Sequence, residues 1–343
     1  MVGVAGDGVT AEPPPSFTWR DGERTIVFGR GRAAGAVQAA GGPGFALLTT
    51  ERALAMLPGL GEAAGAVHHV GHGTVPPLAA AALEALPPGD GRYVALGGGR
   101  VVDVAKAVAA ARGPEARAMA VPTTLSGAEL TRVHRHAEGV DEATPRVRCS
   151  LIVCDPVLAA SQPDEELAAS ALNALAHAVE APCTTAANPV STLAAHEAAR
   201  LIQGAYARAE PDRDALALGA LLAGYAMDST GYGLHHVMAQ TVVQRGLAAH
   251  GPANAVLLPH TLGALAWRCP RQYERLQRVL GEEPVAAAAR LRERTPATRL
   301  RDLGLDAVAL DACAEAAAER PQLDHTPPRA DRAELRALYD TAW

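Results

Sequence analysis

Short apolar runs alternate with alanine-rich stretches through the first half of the chain. The runs TIVFG (25–29), FALLTT (45–50), AVHHV (66–70), YVALGGG (93–99), AMAVPTT (118–124) and LIVCDP (151–156) have the length and β-branched content of buried strands. Between them ERALAMLPGLGEAAG, PLAAAALEAL and VVDVAKAVAAA read as helices. Strands separated by helices predict a parallel sheet covered on both faces. After Asp155 and Pro156 the texture changes. From QPDEELAASALNALAHAVEA onward the periodicity is helical, broken by Pro182, Pro189, Pro211, Pro252, Pro270 and Pro284. This predicts an all-α second half with a boundary near residue 160 and a ligand cleft between the halves. The opening MVGVAGDGVTAEPPP has neither a basic start nor an apolar core, so residues 1–20 read as a flexible tail.

A length of 343 residues suits two cores. A net charge of −6 speaks against a nucleic-acid footprint, which needs a basic face. Five cysteines form no CxxC spacing, so reduced thiols and a cytoplasmic location are expected. Apolar runs fall short of about 20 residues, which predicts no membrane span.

Three segments carry candidate chemistry. In VALGGGRVVDVAKAVA, a strand meets Gly97, Gly98 and Gly99 and then a helix, so backbone N–H groups can approach a phosphate. A tight strand–helix turn is the plain alternative. In VPTTLSGAELT, Thr123, Thr124 and Ser126 crowd hydroxyls into a loop that can line a nucleotide; equally, Ser126 with Glu129 fits a capping box. In SALNALAHAVEA, Asn173 and His177 lie four apart and share one helix face. His235 and His236 on another helix, His250 in a glycine-rich turn and His260 complete a histidine-rich set.

These segments, with DPVL, GLHHVMAQ, HGPANAVLLPH and the tail PPRADRAELRALYDTAW, resemble the iron-containing alcohol dehydrogenase superfamily, and within it the maleylacetate reductase branch. GGGRVVDVAK is similar to that family's GGGSxxDxxK and PTTLSGAELT to its PTTxxGSExT. The resemblance implies a dehydroquinate synthase-like fold, with an α/β dinucleotide-binding domain at 21–160 and an all-helical substrate domain at 161–343. It implies that Gly97, Gly98, Gly99 and Arg100, with Asp103 of the same motif, hold NAD(P)H together with Thr123, Thr124, Ser126 and, after the second parallel strand, Thr50. His177, His236 and His250 match three metal-binding histidines of the metal-dependent relatives, whose fourth ligand is an aspartate where this chain has Asn173. The branch carries asparagine there too, and a doubled histidine. The expectation is therefore that Asn173, His177, His235, His236 and His250 act on substrate and that no metal is bound.

Three departures point to an altered substrate pocket: Arg100 for serine, Gln240 for histidine, and Pro182 shortening the helix after His177. Arg132, His134 and His136 are candidates for holding a carboxylate, or else loop surface. The implied activity is reduction of a small enone or keto-carboxylate in a homodimer. The alternatives are a metal-dependent alcohol dehydrogenase, a sugar-phosphate cyclase-like lyase, and a biosynthetic tailoring protein without net hydride transfer.

Overall fold

The computed structural model describes residues 16–343. Seven strands form one sheet: β1 (Phe17–Asp21), β2 (Arg24–Phe28), β3 (Ala46–Thr49), β4 (Ala66–His69), β5 (Arg92–Gly97), β6 (Arg117–Pro122) and β7 (Cys149–Cys154). Their spatial order is β1-β2-β7-β6-β5-β3-β4. All neighbours are parallel except β1 and β2, which form an antiparallel hairpin. Part of the expected tail is thus a strand: Phe17, Trp19 and Asp21 are half-buried while Thr18 and Arg20 face solvent, an alternation suited to a sheet edge. The rest of the tail, up to residue 15, lies outside the described residues.

Alternate residues of the inner strands enter different cores. Tyr93 and Ala95 of β5 join one cluster, and Val94 and Leu96 join another on the opposite face. That division explains why these strands read as continuous apolar runs. The sheet carries helices α1 (Glu51–Met56), α2 (Val75–Ala85) and α3 (Gly99–Arg112). The strand order reverses between β3 and β5, which opens a crevice at their carboxyl ends.

From Pro156 onward every described regular element is helical. The site uses α4 (Asp164–Glu180), α5 (Pro189–Ala205), α6 (Arg213–Thr230), α7 (Leu234–Gln244), α8 (His250–Arg268), α9 (Pro270–Leu280), α10 (Ala307–Ala318) and α11 (Arg332–Ala342). Helix α4 is buried on every side from Leu167 to Glu180 and packs against α5, α6 and α8. A helix wrapped this way carries polar groups only where each has a partner or a function. Pro182 sits in the 3₁₀ turn Ala181–Cys183 that ends it.

Candidate active site

The glycine loop and the hydroxyl loop lie side by side because β5 and β6 are in register, with Gly97 opposite Pro122. The Thr123 N–H donates to the Gly97 carbonyl at 2.9 Å. A Cβ on Gly98 would stand 2.9 Å from Thr124 Cγ2, and one on Gly99 would stand 2.9 Å from Ser126 Oγ. Packing between the loops therefore accounts for these glycines. The feature suited to a phosphate is the start of α3, where Gly98 is the N-cap and no side chain caps the helix. Arg100 follows in the first turn, exposed. Thr50 follows β3 and caps α1, its Oγ1 accepting from the Ala53 N–H at 3.2 Å. Its hydroxyl proton stays free for a ribose.

Asp103, expected to bind the cofactor, forms an ion pair with Lys106 at 2.8 Å. Lys106 is fully buried, and its Nζ donates to the carbonyls of Ala128, Thr131 and Val133 at 2.7, 3.1 and 2.9 Å. Lys106 thus clamps the hydroxyl loop, and Asp103 holds Lys106. The capping box does not form either. Gly127 has φ +70° and the segment stays a loop, so the Ser126 Oγ accepts from the Ala128 N–H instead.

Gly127 places this loop against two helices. A Cβ there would meet Gly224 Cα of α6 at 3.2 Å and His177 Nδ1 of α4 at 3.4 Å. The Asn173 Nδ2 donates to the Ser126 carbonyl at 3.3 Å, which turns its Oδ1 away from that bond. The His177 ring stacks on the His236 ring with centroids 4.6 Å apart. His236 Nδ1 lies 2.6 Å from Glu180 Oε2, and Glu180 Oε1 accepts from the His235 N–H at 2.7 Å. Glu180 thus occupies the start of α7, which has no side-chain cap of its own, and fixes the His236 tautomer with hydrogen on Nδ1 and a lone pair on Nε2. Three buried atoms at this centre have no partner among the described residues: Asn173 Oδ1, His177 Nδ1 and His236 Nε2. Buried polar atoms left unpaired in this way mark a place for a ligand.

The residues above omit Glu180 at the sequence level, although it was legible. Positions 173, 177 and 180 are spaced by four and three, so Glu180 shares the helix face of the other two.

His235 needs correction. It is fully buried, with Nδ1 2.7 Å from Thr261 Oγ1 and Nε2 3.0 Å from Asn254 Oδ1. Successive helical residues point about 100° apart, so His236 faces the centre while His235 locks α7 onto α8. His250 begins α8 rather than lying in a turn. A charge on it would disfavour protonation of both His177 and His236. Of the carboxylate candidates, Arg132 is exposed, His134 is held by the Val147 N–H and the Arg135 carbonyl, both at 3.1 Å, and the buried His136 ring lies edge-on to His134 at 5.5 Å. Gln240 lies one turn beyond His236, its Oε1 accepting from Arg320 Nη2 at 2.9 Å. A groove of about 720 Å³ between α5 and α9 shares none of the centre's residues.

Burial disfavours charge throughout the centre. It pushes His236 and His235 down to about 3 and His250 to about 4, lowers His177 well below the ordinary value, and raises Glu180. The imidazoles are neutral at pH 7. The unfolded chain protonates these histidines near 6.5 and the native protein does not, so the stability they contribute is complete above 6.5 and is lost as pH falls towards 3–4. Glu180, shifted upward, has the opposite sign: its contribution is lost as pH rises through its native value. The histidines outnumber it, so Tm is expected to decline from about pH 6.5 downward. A Tm constant down to pH 4.5, the ordinary glutamate value, would contradict this electrostatic picture.

Asn173 brings a neutral amide, already bonded to the Ser126 carbonyl, to the place beside these imidazoles where a divalent cation favours an anionic ligand.

Residues 167–343 match the family described as Fe-containing alcohol dehydrogenase family, C-terminal. The chain is 34% identical over 232 residues to maleylacetate reductase 2 of Cupriavidus pinatubonensis, covering 65% of this chain and 63% of that protein. It is 32% identical over 261 residues to maleylacetate reductase 1 of Rhodococcus opacus, covering 73% of this chain and 72% of the other. A solved structure of maleylacetate reductase from Agrobacterium tumefaciens superposes with a TM-score of 0.80 at 27% identity, covering 96% of this chain and 98% of that one.

Proposed function

The chain belongs to the Fe-containing alcohol dehydrogenase family and is an oxidoreductase, and from that premise we propose that it is an NAD(P)H-dependent, metal-independent reductase of a small enone or keto-carboxylate of the maleylacetate type. The observation that carries this reading is the neutral centre of Asn173 Oδ1, His177 Nδ1 and His236 Nε2, closed off from water beside the hydroxyl loop. In this reading residues 21–160 bind the dinucleotide and the helical half holds the substrate, in a cytoplasmic homodimer.

A bound NAD(P)H supplies the hydride. The uncapped start of α3 receives its pyrophosphate, with Thr124 and Ser126 alongside. His177, kept neutral by burial, donates a hydrogen bond that stabilises the acceptor oxygen as charge develops there, and solvent supplies the proton that completes the reduction. A neutral imidazole is suited to that task because it polarises a carbonyl without carrying a buried charge. His236 accepts at Nε2, orienting the substrate or a water that supplies the proton, while Glu180 holds its ring. Asn173 Oδ1 takes a donor from the substrate or that water. No step passes through a metal.

The test is oxidation of NADH and NADPH with maleylacetate as acceptor in chelator-treated buffer. Absence of saturable binding with either dinucleotide would end the reductase reading. We further expect a preference between the two cofactors below about 100-fold, roughly 2.7 kcal/mol. Strict NAD enzymes place a carboxylate on the ribose hydroxyls, whereas Thr50 offers a neutral hydroxyl at that strand end. Comparison of kcat/KM for the two cofactors checks this. A larger ratio would mean that Glu51, next in the chain, turns inward.

A further inference from the structure

We propose that Arg320 is a specificity-determining residue that binds the anionic end of the substrate, in a subsite built with Tyr232 and Gln240. This rests on the reductase reading above. Arg320 Nη2 donates to Tyr232 Oη at 3.0 Å and to Gln240 Oε1 at 2.9 Å, and Nη1 reaches Gln244 Oε1 at 3.3 Å. The guanidinium also stands 6.0 Å from the centre of the Tyr232 ring, and that ring lies 6.1 Å from the His236 ring. His236, Gln240 and Gln244 are spaced by four on α7 and share one face. Arg320 therefore lies along the face that bears His236, about 6 Å further on at Gln240.

Charge gives the second argument. Arg24, Arg213, Arg268 and Arg329 are all paired with carboxylates. Arg320 makes no ion pair among the described residues, and its Nε–H has no partner there either. Its three contacts are neutral oxygens, which fix the planar fork without neutralising it. Gln240 suits this role because its carbonyl only accepts, whereas an imidazole at that position would repel the guanidinium on protonation. A half-buried arginine held in place but not neutralised, on the same helix face as an uncharged reaction centre, is suited to pairing with a carboxylate through its remaining N–H groups.

The experiment uses calorimetric titration of maleate, and of its neutral diamide, into wild type, Arg320→Met and Arg320→Lys, each with saturating NADH. Wild type is expected to bind maleate, Arg320→Met at least about tenfold more weakly, and Arg320→Lys in between, because lysine keeps the charge without the fork. The diamide should bind all three equally weakly, and NADH affinity should stay within about twofold. A purely structural Arg320 would shift NADH and diamide binding along with maleate. Equal maleate affinity in Arg320→Met, or none in NADH-loaded wild type, overturns the proposal while leaving the reductase reading intact. Failure of both dinucleotides to bind wild type overturns that reading and this proposal with it. Should Arg320→Met not fold, Gln240→Ala carries the test: it frees the guanidinium and is expected to weaken maleate severalfold, and unchanged affinity overturns the proposal.

Discussion

Replacing Glu180 by glutamine is expected to lower kcat by about 10³-fold, roughly 4 kcal/mol, with NADH affinity within about twofold of wild type. The substitution is nearly isosteric, so the packing around α4 survives. Its effect lies in the direction of two hydrogen bonds. The carboxylate now accepts from both the His235 N–H and His236 Nδ1. A glutamine amide can accept only with its oxygen. Once that oxygen serves the fixed backbone N–H, the amide NH₂ faces His236 Nδ1 and drives the ring to its other tautomer. His236 Nε2 then carries a hydrogen toward the substrate where it should offer a lone pair. Steady-state kinetics with Tm as a folding control decides the matter. A kcat within about threefold of wild type would show that the tautomer of His236 does not matter. Glu180→Ala would not separate these effects, because it leaves the start of α7 unpaired and opens a cavity in a fully buried helix.

Periodicity was enough for the sheet and for one face of α4. The inner parallel strands are apolar on both faces, and that pattern stands out even in an alanine-rich chain. β1 escaped because only every second residue is covered, and because it follows a segment that reads as tail. The spacing of Asn173 and His177 identified a shared face, since neighbours on a helix surface follow from the 3.6-residue turn alone. What the sequence could not supply is contact across elements. Glu180 meets His236 from 56 positions away, and nothing in GLHH says which of the two imidazoles faces inward. Lys106 belongs to a recognisable motif, yet its capture of three loop carbonyls depends on where that loop returns in space. The Ser126–Glu129 pair has the composition of a cap, and a single glycine with positive φ removes the helix it would begin.

Asn173→Asp is expected to give the opposite metal response from wild type. In wild type, exhaustive chelation should leave turnover within about twofold and Tm unchanged, because three neutral imidazoles and an amide lack the anion that a divalent cation favours. In the variant a carboxylate oxygen replaces Nδ2, which now donates to the Ser126 carbonyl. Two acceptors then oppose each other at a site only 2% exposed, costing about 1–3 kcal/mol and pushing the new carboxyl upward in pKa. Zinc relieves that repulsion by sitting between the carboxylate and the imidazoles of His177, His236 and His250. At about 100 times its Kd a bound ion restores roughly 2.7 kcal/mol. The variant should therefore melt lower than wild type in chelator, recover with added zinc, and lose most turnover once zinc is bound, because Nε2 of His236 becomes a ligand. Wild-type Tm should not respond to zinc at the same concentration. If wild type itself carried stoichiometric iron or zinc, lost activity on its removal and regained it on return, Asn173 would have to be counted as a ligand and the neutral-imidazole mechanism abandoned.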